Sequence, residues 1–124
     1  MSEKGIYEIT VRTKFSAAHN LRNYKGDCEN VHGHNWNVRV TAGFTKLKGG
    51  LSMDFRDLKS ISKKVINDLD HKNINEVEYF KQENPTSENV ARYIYDRIKK
   101  EGVPVTKVSV SETDDYTATY KKEK

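Results

Sequence analysis

From Ile6 to Phe15 apolar and polar residues alternate, with Ile9 and Val11 set against Thr10 and Arg12, and this period predicts a first strand. Asn35 to Phe44 repeats the alternation, with Trp36, Val38 and Val40 on one parity, and predicts a second. The stretch between them, Ser16 to His34, is too polar and irregular for an ordinary hairpin turn. Loops of that length in compact domains tend to carry function. Gly49-Gly50 breaks the chain, and Asp54 then stands where an N-cap belongs. After it Phe55, Leu58, Ile61, Val65 and Leu69 recur at spacings of three and four, which describes an amphipathic helix. Asn84-Pro85 breaks the chain again. Thr86 or Ser87 caps a second helix, with Glu88 in its first turn and Val90, Ile94 and Ile98 on one face. Gly102 and Pro104 close it. Val105 to Glu112 alternates as a third strand, and Tyr116 to Tyr120 follows across an Asp114-Asp115 hairpin turn as a fourth. The order ββααββ predicts an α+β domain, an antiparallel sheet with a helix pair on one face. Its open sheet edges invite closure by neighbouring subunits.

Composition sharpens this picture. The 124 residues suit a single domain over 1–124, yet only 35% of them are hydrophobic and 32% are charged, so either the core is thin or copies of the chain assemble. The net charge of +4 comes from lysines scattered over both helices and the ends, without a basic-aromatic stripe, so nucleic acid is not an expected partner. Lys121, Lys122 and Lys124 read as a solvated tail, the alternative being attraction of a polyanionic ligand by the summed field. Ser2 to Thr13 lacks the apolar block of a signal peptide, and no stretch is apolar enough to span a bilayer. Cys28 is the single cysteine, which excludes an internal disulfide. The expected setting is cytoplasmic and reducing.

The candidate chemistry is concentrated in a few residues. His32 and His34 lead into the second strand, where positions two apart share a face, so both imidazoles can converge on one point. His19 follows the first strand, and antiparallel pairing brings it beside them. Three imidazoles suit zinc, and three protein ligands with an open fourth position describe a catalytic site. Cys28 has two readings. As a fourth ligand it would close the site around a purely structural metal; left unligated, its thiolate could abstract a proton. Asp70-His71, placed at the end of the first helix, is either a favourable helix-end pair or a carboxylate orienting a proton-shuttling imidazole. Glu112, Thr86 and Ser87 look individually like an edge carboxylate and a helix cap. A carboxylate, however, is the natural acceptor for the guanidine-like edge that guanine and pterins present.

Taken together, Phe15-Ser-Ala-Ala-His19, Cys28-Glu-Asn-Val-His32-Gly-His34, Met53-Asp54-Phe55 with Leu58-Lys59, Leu69-Asp70-His71, Asn84-Pro85-Thr86-Ser87-Glu88-Asn89 and Ser111-Glu112-Thr113 resemble the 6-pyruvoyltetrahydropterin synthase family, in particular its 6-carboxytetrahydropterin synthase branch. The match runs through nearly the whole chain. The resemblance implies the T-fold: four antiparallel strands and two helices, with a β-barrel closed by homo-oligomerisation into a trimer or a hexamer. It implies zinc on His19, His32 and His34, a catalytic thiol at Cys28, and a proton relay at Asp70 and His71. It also implies a pterin anchor at Glu112, with Thr86 and Ser87 adding hydrogen bonds, in a site built across a subunit interface. The implied reaction is the conversion of 7,8-dihydroneopterin triphosphate to 6-carboxytetrahydropterin with release of acetaldehyde and triphosphate, for 7-deazaguanine (queuosine or archaeosine) synthesis.

One residue blurs the branch. Some relatives carry a glutamate three residues before the His-Gly-His in place of the cysteine, and these resemble enzymes making 6-hydroxymethyl-7,8-dihydropterin for folate. This chain has both Cys28 and Glu29, so Glu29 is either an exposed loop charge or a second base that makes the protein dual. The pyruvoyl-forming activity ranks third. A non-enzymatic reading also stands, a zinc-stabilised basic binding domain. Arg12, Lys14 and Lys25 lie near the metal motif in sequence, but no triphosphate-binding residue can be singled out.

Overall fold

The computed structural model describes residues 5–23 and 30–122. Two long strands, β1 (Tyr7–His19) and β2 (His32–Phe44), pair antiparallel along their whole length, from Tyr7 opposite Phe44 to His19 opposite His32. Helix α1 (Phe55–Ile66) follows. Next come a two-residue strand β3 (Lys72–Asn73), one 3₁₀ turn (Ile74–Glu76) and the short helix α2 (Glu78–Gln82). Helix α3 (Ser87–Lys100) leads to β4 (Val105–Thr113) and β5 (Tyr116–Lys121). The sheet order is β3-β1-β2-β4-β5; all pairings are antiparallel except β3, which runs parallel to β1 at Ala17 and Ala18.

The expected α+β architecture is present, with α1 over β1 and α3 over β4 and β5 on one face of the sheet. Val11, Phe15 and Ala17 of β1, Trp36, Val38 and Val40 of β2, and Val108 and Val110 of β4 form the inner side of the core. Leu58 and Val65 of α1 and Val90, Ile94 and Ile98 of α3 close over it. Both helices start where their caps place them. Asp54 accepts from the Arg56 amide at 2.8 Å, and Thr86 accepts from the Asn89 amide at 3.1 Å. Gly49 and Gly50 both hold positive φ, which explains the break before α1.

Three expectations need correction. The polar excursion is shorter than Ser16 to His34, because β1 runs on to His19 and β2 begins at His32. Burial still alternates through Phe15, Ala17 and His19, but alanine and histidine carry too little β-propensity to signal it in sequence. The first helix ends at Ile66, capped at Asn67; Leu69 is buried from a turn beyond it. Asp70 and His71 therefore lie past the helix, with His71 in the left-handed region at φ 59°. Finally, residues 72–82 form regular structure of their own, making five strands and three helices among the described residues. Among those residues no helix is long and apolar enough to cross a membrane.

Candidate metal centre

The last residue of β1 and the first residues of β2 bring the imidazoles together. His19 faces His32 in the register, and His34 shares parity with His32, Trp36 and Val38, so all three rings stand on the helix side of the sheet. Each pair of rings has centroids 4.8 to 5.4 Å apart. Trp36, fully buried, forms the floor: its ring lies edge-on to His19 at 4.8 Å and to His34 at 5.7 Å, and its indole N–H donates to the Ala17 carbonyl. Glu112, near the end of β4, closes the group. One ligand atom from each of His19, His32, His34 and Glu112 lies within 4.8 Å of the others.

Hydrogen bonds fix which nitrogen His19 and His32 offer. A carbonyl oxygen only accepts, so Nδ1 of His19 must carry the proton it donates to Pro85 O at 2.7 Å, and Nδ1 of His32 the one it donates to Asn30 O at 2.9 Å. In both rings Nε2 is left with its lone pair. Nε2 of His19 and Nε2 of His34 are buried without a hydrogen-bond partner among the described residues. Buried polar atoms are rarely left so. Lone pairs aimed at a shared point, with the other ring nitrogen held by a carbonyl, are the arrangement of metal-ligating histidines. Tetrahedral bonds of 2.0–2.1 Å put ligand atoms about 3.4 Å apart, so a small contraction of the cluster would seat the ion. Burial lowers the His19 pKa below its ordinary 6.5, against the opposing pull of the Pro85 hydrogen bond and the Glu112 charge. The neutral, ligand-competent form is favoured.

Glu112 is tied into this centre more closely than a distant anchor would be. One carboxylate oxygen accepts from the Ser87 hydroxyl at 2.7 Å, and the other lies 3.3 Å from Nε2 of His34. The N-terminus of α3 thus reaches the site three ways: the Pro85 carbonyl holds His19, Thr86 caps the helix, and Ser87 orients Glu112.

Asp70 and His71 stand outside this group. Asp70 Oδ1 accepts from the Ser16 amide at 2.9 Å, the His71 amide donates to the Ser16 carbonyl at 2.6 Å, and Nε2 of His71 lies 3.7 Å from Asp70 Oδ2. The His71 ring is exposed and lines a different groove, with Asp68, Lys72, Glu76 and Arg97. Cys28 and Glu29 lie outside the described residues, as do Lys25 and Lys124.

The pattern reading missed the residues that hold the start of the Cys28 segment. The Asn20 amide donates to Asn75 Oδ1 while Asn75 Nδ2 returns a bond to the Asn20 carbonyl, both at 2.9 Å. Two residues on, Arg22 and Asn84 repeat the exchange at 2.9 and 3.1 Å. Each asparagine side chain thus pairs with a backbone amide and carbonyl as a neighbouring strand would. Asparagines beside turn signals were the only sequence cue, and their partners are more than fifty residues away.

Comparison with known proteins agrees with the geometry. A family model described as 6-pyruvoyl tetrahydropterin synthase matches residues 8–123. A protein of Archaeoglobus fulgidus named a putative 6-carboxy-5,6,7,8-tetrahydropterin synthase is 39% identical over 86% of this chain and 89% of its own length. A Pyrococcus furiosus protein named dihydroneopterin monophosphate aldolase is 37% identical over 74% of this chain and 75% of its own. Among solved structures, the 6-pyruvoyl tetrahydropterin synthase of Caenorhabditis elegans superimposes with a TM-score of 0.84 at 30% identity, covering 99% of this chain and 100% of that one.

Proposed function

This chain belongs to the 6-pyruvoyl tetrahydropterin synthase family, and from that premise we propose that it is a zinc enzyme converting 7,8-dihydroneopterin triphosphate and water to 6-carboxy-5,6,7,8-tetrahydropterin, acetaldehyde and triphosphate. The observation that carries the reading is the cluster of His19, His32 and His34, in which two buried Nε2 atoms have no hydrogen-bond partner among the described residues. A zinc ion held there supplies Lewis-acid polarisation of the substrate's side-chain hydroxyls.

The chain's own residues do the rest. Pro85 and Asn30 hold the ligand tautomers of His19 and His32. Cys28, four residues before His32, takes a side-chain proton as thiolate. Asp70 orients His71, which carries protons to and from the other reacting positions. Because His71 stands apart from the imidazole cluster within one chain, its partners come from a neighbouring subunit, in a trimer or hexamer with the site at the interface. Thr86 and Ser87 border the substrate. For Glu112, contact with Ser87 and His34 places the carboxylate beside the three histidines, where it can accept a proton or a hydrogen bond from the substrate. The carboxylate keeps lone pairs beyond those contacts, so anchoring the pterin edge, the role the resemblance implies, is compatible with them.

A second reading is favoured by the aldolase relative: cleavage to a 6-hydroxymethyl-7,8-dihydropterin with Glu29 as base. The test is a product assay. Zinc-loaded protein is incubated anaerobically with 7,8-dihydroneopterin triphosphate, and pterins and aldehydes are identified by mass spectrometry. Carboxytetrahydropterin with acetaldehyde supports the first reading. Hydroxymethyl-dihydropterin, lost in Glu29→Gln, replaces it with the second, and an unchanged substrate rejects both.

A further inference from the structure

The three imidazoles are not restrained alike. Pro85 holds His19 and Asn30 holds His32, each through a carbonyl that accepts from Nδ1. Neither ring nitrogen of His34 makes a hydrogen bond among the described residues. Its polar contact there is Nε2 against Glu112 Oε2 at 3.3 Å, and that is the buried nitrogen that lies with Nε2 of His19 beside the carboxylate. Metal-ligating histidines ordinarily donate their other N–H to a carbonyl, carboxylate or water, and this fixes the ring. In His34 the ring is left to packing.

Trp36 supplies that packing. On the helix side of the sheet the cross-strand pairs run Phe15–Trp36, Ala17–His34 and His19–His32. Ala17 puts only a methyl group opposite His34, and the Trp36 indole reaches toward it to donate its N–H to the Ala17 carbonyl at 3.2 Å. On one side the indole stacks on Phe15, with centroids 5.6 Å apart and 5° between the planes. On the other it meets His19 and His34 with planes 75° and 89° apart, near the perpendicular arrangement that aromatic pairs favour. The indole is wholly buried and pinned by its own hydrogen bond, so a turn of the His34 ring would have to displace a group with nowhere to go. Because Trp36 is buried within the single chain, this restraint does not depend on how copies assemble.

We propose that Trp36 is a positioning residue of the metal centre. Set between Phe15 and the two imidazoles, it holds His34 in its ligating orientation and backs His19, the part that a carbonyl plays for His32. The inference rests on the reading of His19, His32 and His34 as zinc ligands, and it concerns metal affinity rather than the reacting atoms.

The full-length protein, stripped of metal, is titrated with zinc in competition with a chromophoric chelator. Tight binding by the wild type, much weakened in His34→Ala, is expected from the ligand assignment. Trp36→Leu should weaken zinc binding by about tenfold, with circular dichroism showing that the chain still folds. Trp36→Phe keeps a ring at the position, should lose less, and carries the test if the leucine variant does not fold. Val40→Ala opens a cavity in the same core, six residues from His34 along β2, and should lower the melting temperature while leaving zinc affinity unchanged. No zinc binding by the wild type, or wild-type affinity in His34→Ala, rejects the ligand assignment and the proposal with it. Where those two behave as expected, the proposal alone is overturned by wild-type affinity in both Trp36 variants, or by an equal loss of affinity in Val40→Ala.

Discussion

The Nδ1–H of His19 donates to Pro85, and that bond together with burial sets the residue's chemistry. Desolvation by burial is the largest influence on its pKa, which lies below 6.5 in the folded chain. In the unfolded chain the ring recovers its ordinary value and binds more protons in the window between the two. Stability of the metal-free protein should therefore be full above about pH 6.5 and fall as pH drops through that window. Thermal melts of chelator-treated protein in a pH series would show it; a melting temperature constant from about pH 7.5 to 5.5 would refute it. Cys28 is tested at the same scale. Cys28→Ala should abolish turnover and leave metal content unchanged, as read by activity and by elemental analysis of the same preparation. Loss of metal would instead make the thiol a ligand of a closed structural site.

Elements place these residues, and the sequence showed elements unevenly. The caps of α1 and α3 were legible because Asp54 and Thr86 act through bonds to residues two or three positions away, and the Asp114-Asp115 turn because turn-forming residues stand between two alternating runs. The inner ends of β1 and β2 were not, because Ala17, Ala18 and Gly33 carry no strand preference; cross-strand pairing holds them extended. The placing of Leu69 in α1 failed for a related reason: its spacing fits the helical stripe, yet the chain leaves the helix at Asn67 and still buries it. The His32/His34 spacing was legible because strand period is local; the Asn20–Asn75 and Arg22–Asn84 exchanges are long-range and left no pattern. They yield a prediction. Asn84→Ala removes a donor and an acceptor from the start of the Cys28 segment, at a cost of about 1–3 kcal/mol in denaturant unfolding, and should lower kcat by more than it lowers metal content. Equal losses of activity and folded protein would mean that the clasp serves only stability.

At the scale of the whole molecule, both outer strands are incompletely covered. Among the described residues β3 protects β1 only at Ala17 and Ala18, and β5 has a partner on one side alone. Ile6 and Tyr7 at the start of β1 and Tyr116 at the start of β5 are more than half exposed, at 56%, 51% and 77%. Unpaired edges flanked by exposed aromatic residues favour pairing between copies of the chain. Light scattering should return a mass three or six times that of the chain, and a monomer at working concentration would contradict both the assembly and a site completed by His71 of a neighbour. The centre itself is tested most directly by X-ray absorption at the zinc edge of the purified, zinc-loaded protein. A first shell of nitrogen and oxygen at about 2.0–2.1 Å, with the imidazole signature lost in His34→Ala, is the predicted result. A sulfur at about 2.3 Å, or an unchanged shell in His34→Ala, would contradict the assignment of His19, His32 and His34 as the protein ligands of an open catalytic site.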